Sequence, residues 1–194
     1  MTSLHASPHA PARPASLTAA SLLAIGVPVV VIGLTVAACV SMMSWIGGVA
    51  DGTATRDDGT AFTQAKRESA EAVSPYVLGS FAAVLAVFAL LSVLWIVLGL
   101  QLRKGSSGAR TTLAVFAVLW LLFGLLGAAG GALLLSRVDS YFHDAYTMSI
   151  PASLQPLGYA HATVVIVGMI AFLILAYLPA SSAYVKATTI ARRA

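Results

Sequence analysis

The densest group of residues able to bind or react lies between Arg137 and Ala160, where Asp139, Tyr141, Phe142, His143, Asp144, Tyr146 and Met148 crowd together ahead of Pro151 and Pro156. Asp139, His143 and Asp144, joined by His161 at the mouth of the next apolar run, have the donor atoms of a metal site. If Asp139 to Tyr146 is helical, Asp139 and His143 stand four apart on one face, but such a pair is more often a solvated hydrogen bond than a ligand set. No recognised ligand spacing accompanies them, so neither a metal nor another cofactor is expected. The rings of Tyr141, Phe142 and Tyr146 suit two other tasks. They can rest at lipid headgroups, or they can anchor a partner protein, because exposed aromatic side chains carry much of the energy of docking surfaces.

The rest of the chain explains why so little chemistry is on offer. Of 194 residues, 59% are hydrophobic and 9% charged, and the mean hydropathy is +0.90. These values exclude a soluble enzyme, a disordered chain and a disulfide scaffold. Four windows lack any Asp, Glu, Lys or Arg: those between Arg13 and Asp51, between Glu71 and Arg103, between Arg110 and Arg137, and between Asp144 and Lys186. Each exceeds the roughly 20 residues a helix needs to cross about 30 Å of hydrocarbon. Spans are expected near 22–46, 76–101, 112–136 and 161–183, with a tail over 1–16 carrying Pro8, Pro11 and Pro14 and a basic tail over 187–194. Membrane strands are excluded because these runs are continuously apolar. Ser74-Pro75 reads as the start of the second span and Thr111-Thr112 as the cap of the third. Trp45, Trp95, Tyr76, Tyr159, Tyr177 and Tyr184 are assigned to headgroup depth, and Trp120 to packing inside the third span.

Charge placement orients the spans. The N-terminal tail, the loop Gln101 to Arg110 and the C-terminus carry seven basic residues and no acid, whereas the two longer loops carry four basic residues and all seven acids. Basic residues in short loops are retained inside the cell. The expected fold is therefore all-α: a transmembrane four-helix bundle, both termini cytoplasmic. A short amphipathic helix over Thr60 to Val73, with Phe62, Ala65, Ala72 and Val73 near one face, should lie in the first outer loop, after the turns at Asp51-Gly52 and Asp57-Asp58-Gly59.

Three further features bear on assembly. Val36-Ala37-Ala38-Cys39 resembles a bacterial lipobox, but the apolar run continues past Cys39 where a processed lipoprotein would have a polar tether, so an intact first span is preferred. With one cysteine, no intramolecular disulfide can form. Gly26, Pro28 and Gly33 suggest a bend in that span. Gly127 and Gly131 make a GxxxG pair beside a ridge of Gly124, Ala128 and Ala132; small residues let helix backbones approach where lipid supplies no hydrophobic drive. Packing inside the bundle is preferred there over a homodimer face.

The inner turn, Leu100-Gln101-Leu102-Arg103-Lys104-Gly105-Ser106-Ser107-Gly108-Ala109-Arg110-Thr111-Thr112-Leu113, resembles the basic Gly/Ala-Arg turn between spans two and three of uncharacterised four-span integral membrane proteins of high-GC bacteria. The match covers that stretch and the overall layout, and it implies residence in a plasma membrane. The spans themselves hold no ionisable group of the kind that marks pumps and proton-coupled exporters. They also lack the cysteine pairs of membrane disulfide oxidoreductases and the paired histidines that ligate haem. The leading expectation is a non-enzymatic accessory, assembly or regulatory subunit, whose partners are the lipid bilayer and another membrane protein or a second copy, with no nucleic acid. The alternative is an oligomeric channel or a transporter of apolar, lipid-like cargo, with Thr35, Cys39, Ser41, Ser44, Ser80 and Ser92 along its path.

Overall fold

The computed structural model describes residues 12–56, 58–146 and 151–192; within them the side chains of 130–138, 141, 142 and 144–146 fall outside the described residues. Five helices follow one another: α1 Ala15–Asp51, α2 Gln64–Arg103, α3 Ser107–Tyr146, α4 Leu154–Tyr177 and α5 Pro179–Ala191. The first four are long and apolar enough to cross a membrane. With 40 residues each, α2 and α3 reach about 60 Å at 1.5 Å per residue, twice the hydrocarbon thickness. Crossing a bilayer, helices of that length would carry their ends into headgroups or water.

α1 and α4 form the middle of the bundle. α1 packs on α2 and α4, α4 on α1 and α3, and of these neighbouring long helices α2 and α3 touch most lightly. Small residues set the closest approaches. Ser21 Oγ donates 3.0 Å to the carbonyl of Gly99, and a Cβ on Gly99 would stand 3.0 Å from that of Ala24. A Cβ on Gly168 would stand 2.5 Å from Val27 Cγ2. Around these contacts Leu17, Trp95, Leu102, Leu113, Val165 and Phe172 are buried in one core.

The end of the bundle holding the α2–α3 turn is closed by hydroxyls. Gly105 turns the chain at φ 77°, and Ser106 Oγ accepts from the Ala109 N–H at 3.3 Å, which satisfies one of the free amides at the start of α3. Thr188 of α5 donates to the carbonyl of Gly105 at 3.1 Å, and Ser181 meets Ser16 at 2.8 Å. The start of α1, the α2–α3 turn and α5 thus share one end. At the other end, Phe62 and Val49 are buried together with Trp45, Ala54 and Ala70 against them. Gly52 and Gly59 take φ 72° and 78° there, the left-handed conformation that glycine adopts without steric cost.

Several boundaries differ from the sequence reading. The stretch expected as a separate amphipathic helix is continuous with the second span: α2 starts at Gln64, and Ser74-Pro75 lie inside it. Ala65, Lys66, Glu68, Ala70, Glu71 and Ala72 are helix formers, and Gln64 Nε2 donates to Glu68 Oε1 at 3.0 Å. Pro75 removes one hydrogen bond, that to the carbonyl of Glu71, in a stretch where Glu71, Ala72 and Val73 are exposed and polar surroundings can replace it. α3 starts at Ser107, capped by Ser106 rather than by Thr111 or Thr112. α4 starts at Leu154, seven residues before His161, because Pro156 falls in its first turn, where a missing N–H has no helical partner to lose. α4 ends at Tyr177, and Leu178 is turned to ψ 148° by the proline that follows it. α1 runs unbroken through Pro28 and Cys39. Of the expected tail, residues 1–11 lie outside the described residues, while Ala15 and Ser16 are already helical.

Candidate functional site

α2 and α3 touch more lightly than the other neighbouring long helices, and a space stands among the four long helices. It is a cavity of about 660 Å³ lined from all four, by Leu34, Thr35 and Ala38 of α1, Phe88 and Leu91 of α2, Phe116 to Gly127 of α3, and Leu154 to Val165 of α4. Its walls are overwhelmingly apolar. Aromatic rings gather along one side: Phe88 stands 5.6 Å from Trp120 and 6.4 Å from His161. Leu119 and Phe123 line the cavity and yet are 45% and 70% exposed. The mouth therefore runs along the apolar flank of α3, sideways to the bundle axis. Toward the α2–α3 turn, a void of about 20 Å³ between Val31, Leu91, Trp95, Trp120 and Met169 adjoins it.

The small-residue ridge of α3 divides between two duties. A Cβ on Gly124 would meet Val165 Cγ1 at 2.9 Å and Ile166 Cγ1 at 3.2 Å, whereas Gly127 has nothing within 4 Å. Gly124 holds α3 against α4, and Gly127 leaves room at the cavity wall. Ala128 is half-buried, and the surroundings of Gly131 lie outside the described residues.

Of the hydroxyls and thiol assigned to a path, Thr35 lines the large cavity and donates to the carbonyl of Val31 at 2.8 Å. Ser92 borders the small void. Ser41 meets Ser153 at 2.5 Å, Ser80 is exposed and donates to the carbonyl of Tyr76 at 2.9 Å, Ser44 is exposed, and Cys39 is half-buried. They are spread over several surfaces.

Asp139 and His143 lie in the last two turns of α3. The side chains of Asp144, Tyr141, Phe142 and Tyr146, two readings of which rested on their exposure, lie outside the described residues. Among the described residues no three His, Cys, Asp or Glu side chains gather as metal ligands. His161, placed at the surface by the sequence reading, sits about 10 Å along α4 from Leu154 at 1.5 Å per residue and faces the cavity.

The basic residues collect at the other end. The Arg110 guanidinium lies 4.9 Å over the Tyr177 ring, donates to Ser182 Oγ at 3.2 Å, and neighbours the α2–α3 turn, where Arg192 donates to the carbonyl of Lys104 at 2.5 Å. This is an arrangement for fixing an end cap, because cation–π contact and hydroxyl bonds immobilise the arginine. The cavity was not read from the sequence. Its signal was the pairing of bulky Phe116, Trp120 and Phe123 with Gly124 and Gly127 on one helix, but rotation about the helix axis is needed to see that they share a wall. No family model, curated protein or solved structure matches this chain.

Proposed function

We propose that this chain is a non-enzymatic, multi-pass membrane protein that holds or passes an apolar, lipid-like molecule in the cavity between its helices. The observation that carries this reading is the cavity itself: about 660 Å³, apolar, and open along the exposed Leu119 and Phe123 of a membrane helix. Ligand sites of small molecules span roughly 300–1,000 Å³ and are mostly apolar with a few placed polar groups. A sideways mouth admits a ligand already dissolved in the bilayer. Uncharged cargo also agrees with spans that carry no buried ionisable pair.

The residence proposed is a bacterial plasma membrane with both termini and the α2–α3 turn cytoplasmic. Arg103, Lys104, Arg110, Lys186 and Arg192 at that end, with no acid in the same segments, support it.

The reading is tested by purifying the chain in mild detergent and extracting it for mass spectrometry. The wild-type protein should carry an apolar molecule near one per chain, and Gly127→Phe, which fills the wall where Gly127 has open space, should lose it without losing monodispersity. Wild-type protein with no bound molecule, together with lipid flux in vesicles equal to that of empty vesicles, would sink the proposal.

A second reading, an accessory or assembly subunit for another membrane protein or a second copy, is favoured by α2. Its buried residues are Trp95, Gly99 and Leu102, all near the turn, so its other half has a long unpaired face. Pull-down in gentle detergent should then recover a stable partner that is lost on replacement of Tyr141 and Phe142; recovery of a lone monomer removes this reading.

A further inference from the structure

The proposal that the cavity holds a lipid-like molecule says nothing of that molecule's polar end, and the inference below rests on it. Among the described residues His161 supplies the one imidazole of the wall. Among the described residues it makes no hydrogen bond, and its recorded contact is the ring of Phe88 at 6.4 Å. A polar side chain in apolar surroundings ordinarily has a hydrogen-bonding partner, and Thr35, the hydroxyl of the same wall, already has one in the carbonyl of Val31. The imidazole is therefore the polar group in the cavity with capacity to spare. Neutral imidazole offers one donor and one acceptor, so it matches a hydroxyl or a carbonyl.

Charge narrows the ligand further. Among the described residues no Lys, Arg, Asp or Glu lines the cavity, so a carboxylate, phosphate or ammonium head would be desolvated there without a fixed counter-ion. Size narrows it again. A space of about 660 Å³ takes up a group of drug-like bulk, which is one hydrocarbon chain with a small head; the second chain of a phospholipid would have to lie outside the mouth. The aromatic side chains Phe116 and Trp120 and the exposed Phe123 give that chain an apolar wall and a way out to the bilayer.

We infer that the cavity binds an uncharged single-chain amphiphile, with its hydroxyl or carbonyl head hydrogen-bonded to His161 and its hydrocarbon lying along Phe116 and Trp120 toward the mouth at Phe123.

The test uses the fluorescence of Trp120. The full chain carries three tryptophans, so W45F together with W95F leaves Trp120 alone at the cavity. In zwitterionic phosphatidylcholine vesicles, three brominated quenchers are titrated: a dibromo-octadecanol, the corresponding ionised dibromo-octadecanoate and the corresponding dibromo-octadecane. Saturable quenching is expected, with the alcohol half-saturating at roughly 3- to 10-fold lower membrane concentration than the alkane or the carboxylate, the span expected of one hydrogen bond. Unbrominated octadecanol should reverse it. His161→Phe should erase the alcohol's advantage while leaving saturable quenching by the alkane, and His161→Gln should retain most of it.

Equal half-saturation by alcohol and alkane in the wild-type background overturns the head assignment while leaving the cavity as an apolar site, and needs no variant to fold. A carboxylate that binds tightest overturns the uncharged class. An alcohol advantage that survives His161→Phe overturns the role of His161. Quenching that rises linearly for all three, as random collision in the bilayer gives, overturns both this inference and the reading on which it rests.

Discussion

Trp95 shows how much one side chain can carry in this bundle. It is 4% exposed, edge-on to Phe116 at 6.1 Å and to Phe172 at 6.3 Å, yet its indole Nε1 finds no acceptor among the described residues. Its packing is favourable and its polar atom is a cost. Trp95→Phe should therefore change thermal stability in detergent by less than about 1 kcal/mol, whereas Trp95→Ala should lose about 3–5 kcal/mol; equal losses for the two would show that the N–H is satisfied. The sequence reading assigned Trp95 to headgroup depth because it lies toward the end of a span. Its place toward the end of the helix was legible, but its face was not, and Trp95 turns inward. In the loop between α1 and α2, the Thr60 hydroxyl at 2.6 Å, then the Thr60 N–H at 2.9 Å, with Arg56 nearby, hold the Asp58 carboxyl below its ordinary pKa. A depressed carboxylate pKa favours the folded loop above the unfolded value and loses that preference as pH falls through the folded one. Thr60→Val should raise the Asp58 midpoint toward that of a free aspartate, as followed by NMR titration; an unmoved midpoint would discount the hydroxyl. Asp58 is wholly exposed, so the loop and not the bundle should respond.

Between helices, close approach is set by single glycines, and two of them make opposite predictions. Gly168→Ala drives a methyl onto Val27 Cγ2, a β-branched side chain with one preferred rotamer in a helix, and should cost about 1–3 kcal/mol. Gly127→Ala enters open space and should be neutral or gain up to about 1 kcal/mol from helix propensity. Thermal melting of the two variants side by side checks the pair, and a Gly127→Ala that melts like Gly168→Ala would place α3 closer to its neighbours than described. Four long apolar helices were legible because hydrocarbon demands an unbroken run of uncharged residues. Helix ends were less so. Pro75 read as a boundary by local chemistry, but it sits inside the helix among strong helix formers, and Pro156 falls in the first turn of α4. The glycine ridge of α3 was visible as small residues at helical spacing. Which of them touches α4 and which borders empty space depends on helix rotation, and the tight contacts at Gly99 and Gly168 carried no GxxxG signature at all.

At the scale of the molecule, the packing order α2, α1, α4, α3 closes on itself only through the light contact of α2 with α3, and the cavity lies among the four. Side-specific labelling tests the membrane placement. In a Cys39→Ser background, which removes the single native thiol, an impermeant maleimide should reach Asp58→Cys in intact cells and Ser107→Cys only after permeabilisation; labelling of both from one side would overturn the four-span arrangement. The break at Leu178–Pro179 has its own outcome during synthesis. α5 leaves the ribosome after all four long helices, yet it provides Thr188 to Gly105 and Ser181 to Ser16. The latch can thus form only after α4 has been made, and a chain stopped after Leu178 should enter the bilayer but leave its α2–α3 turn open to added protease.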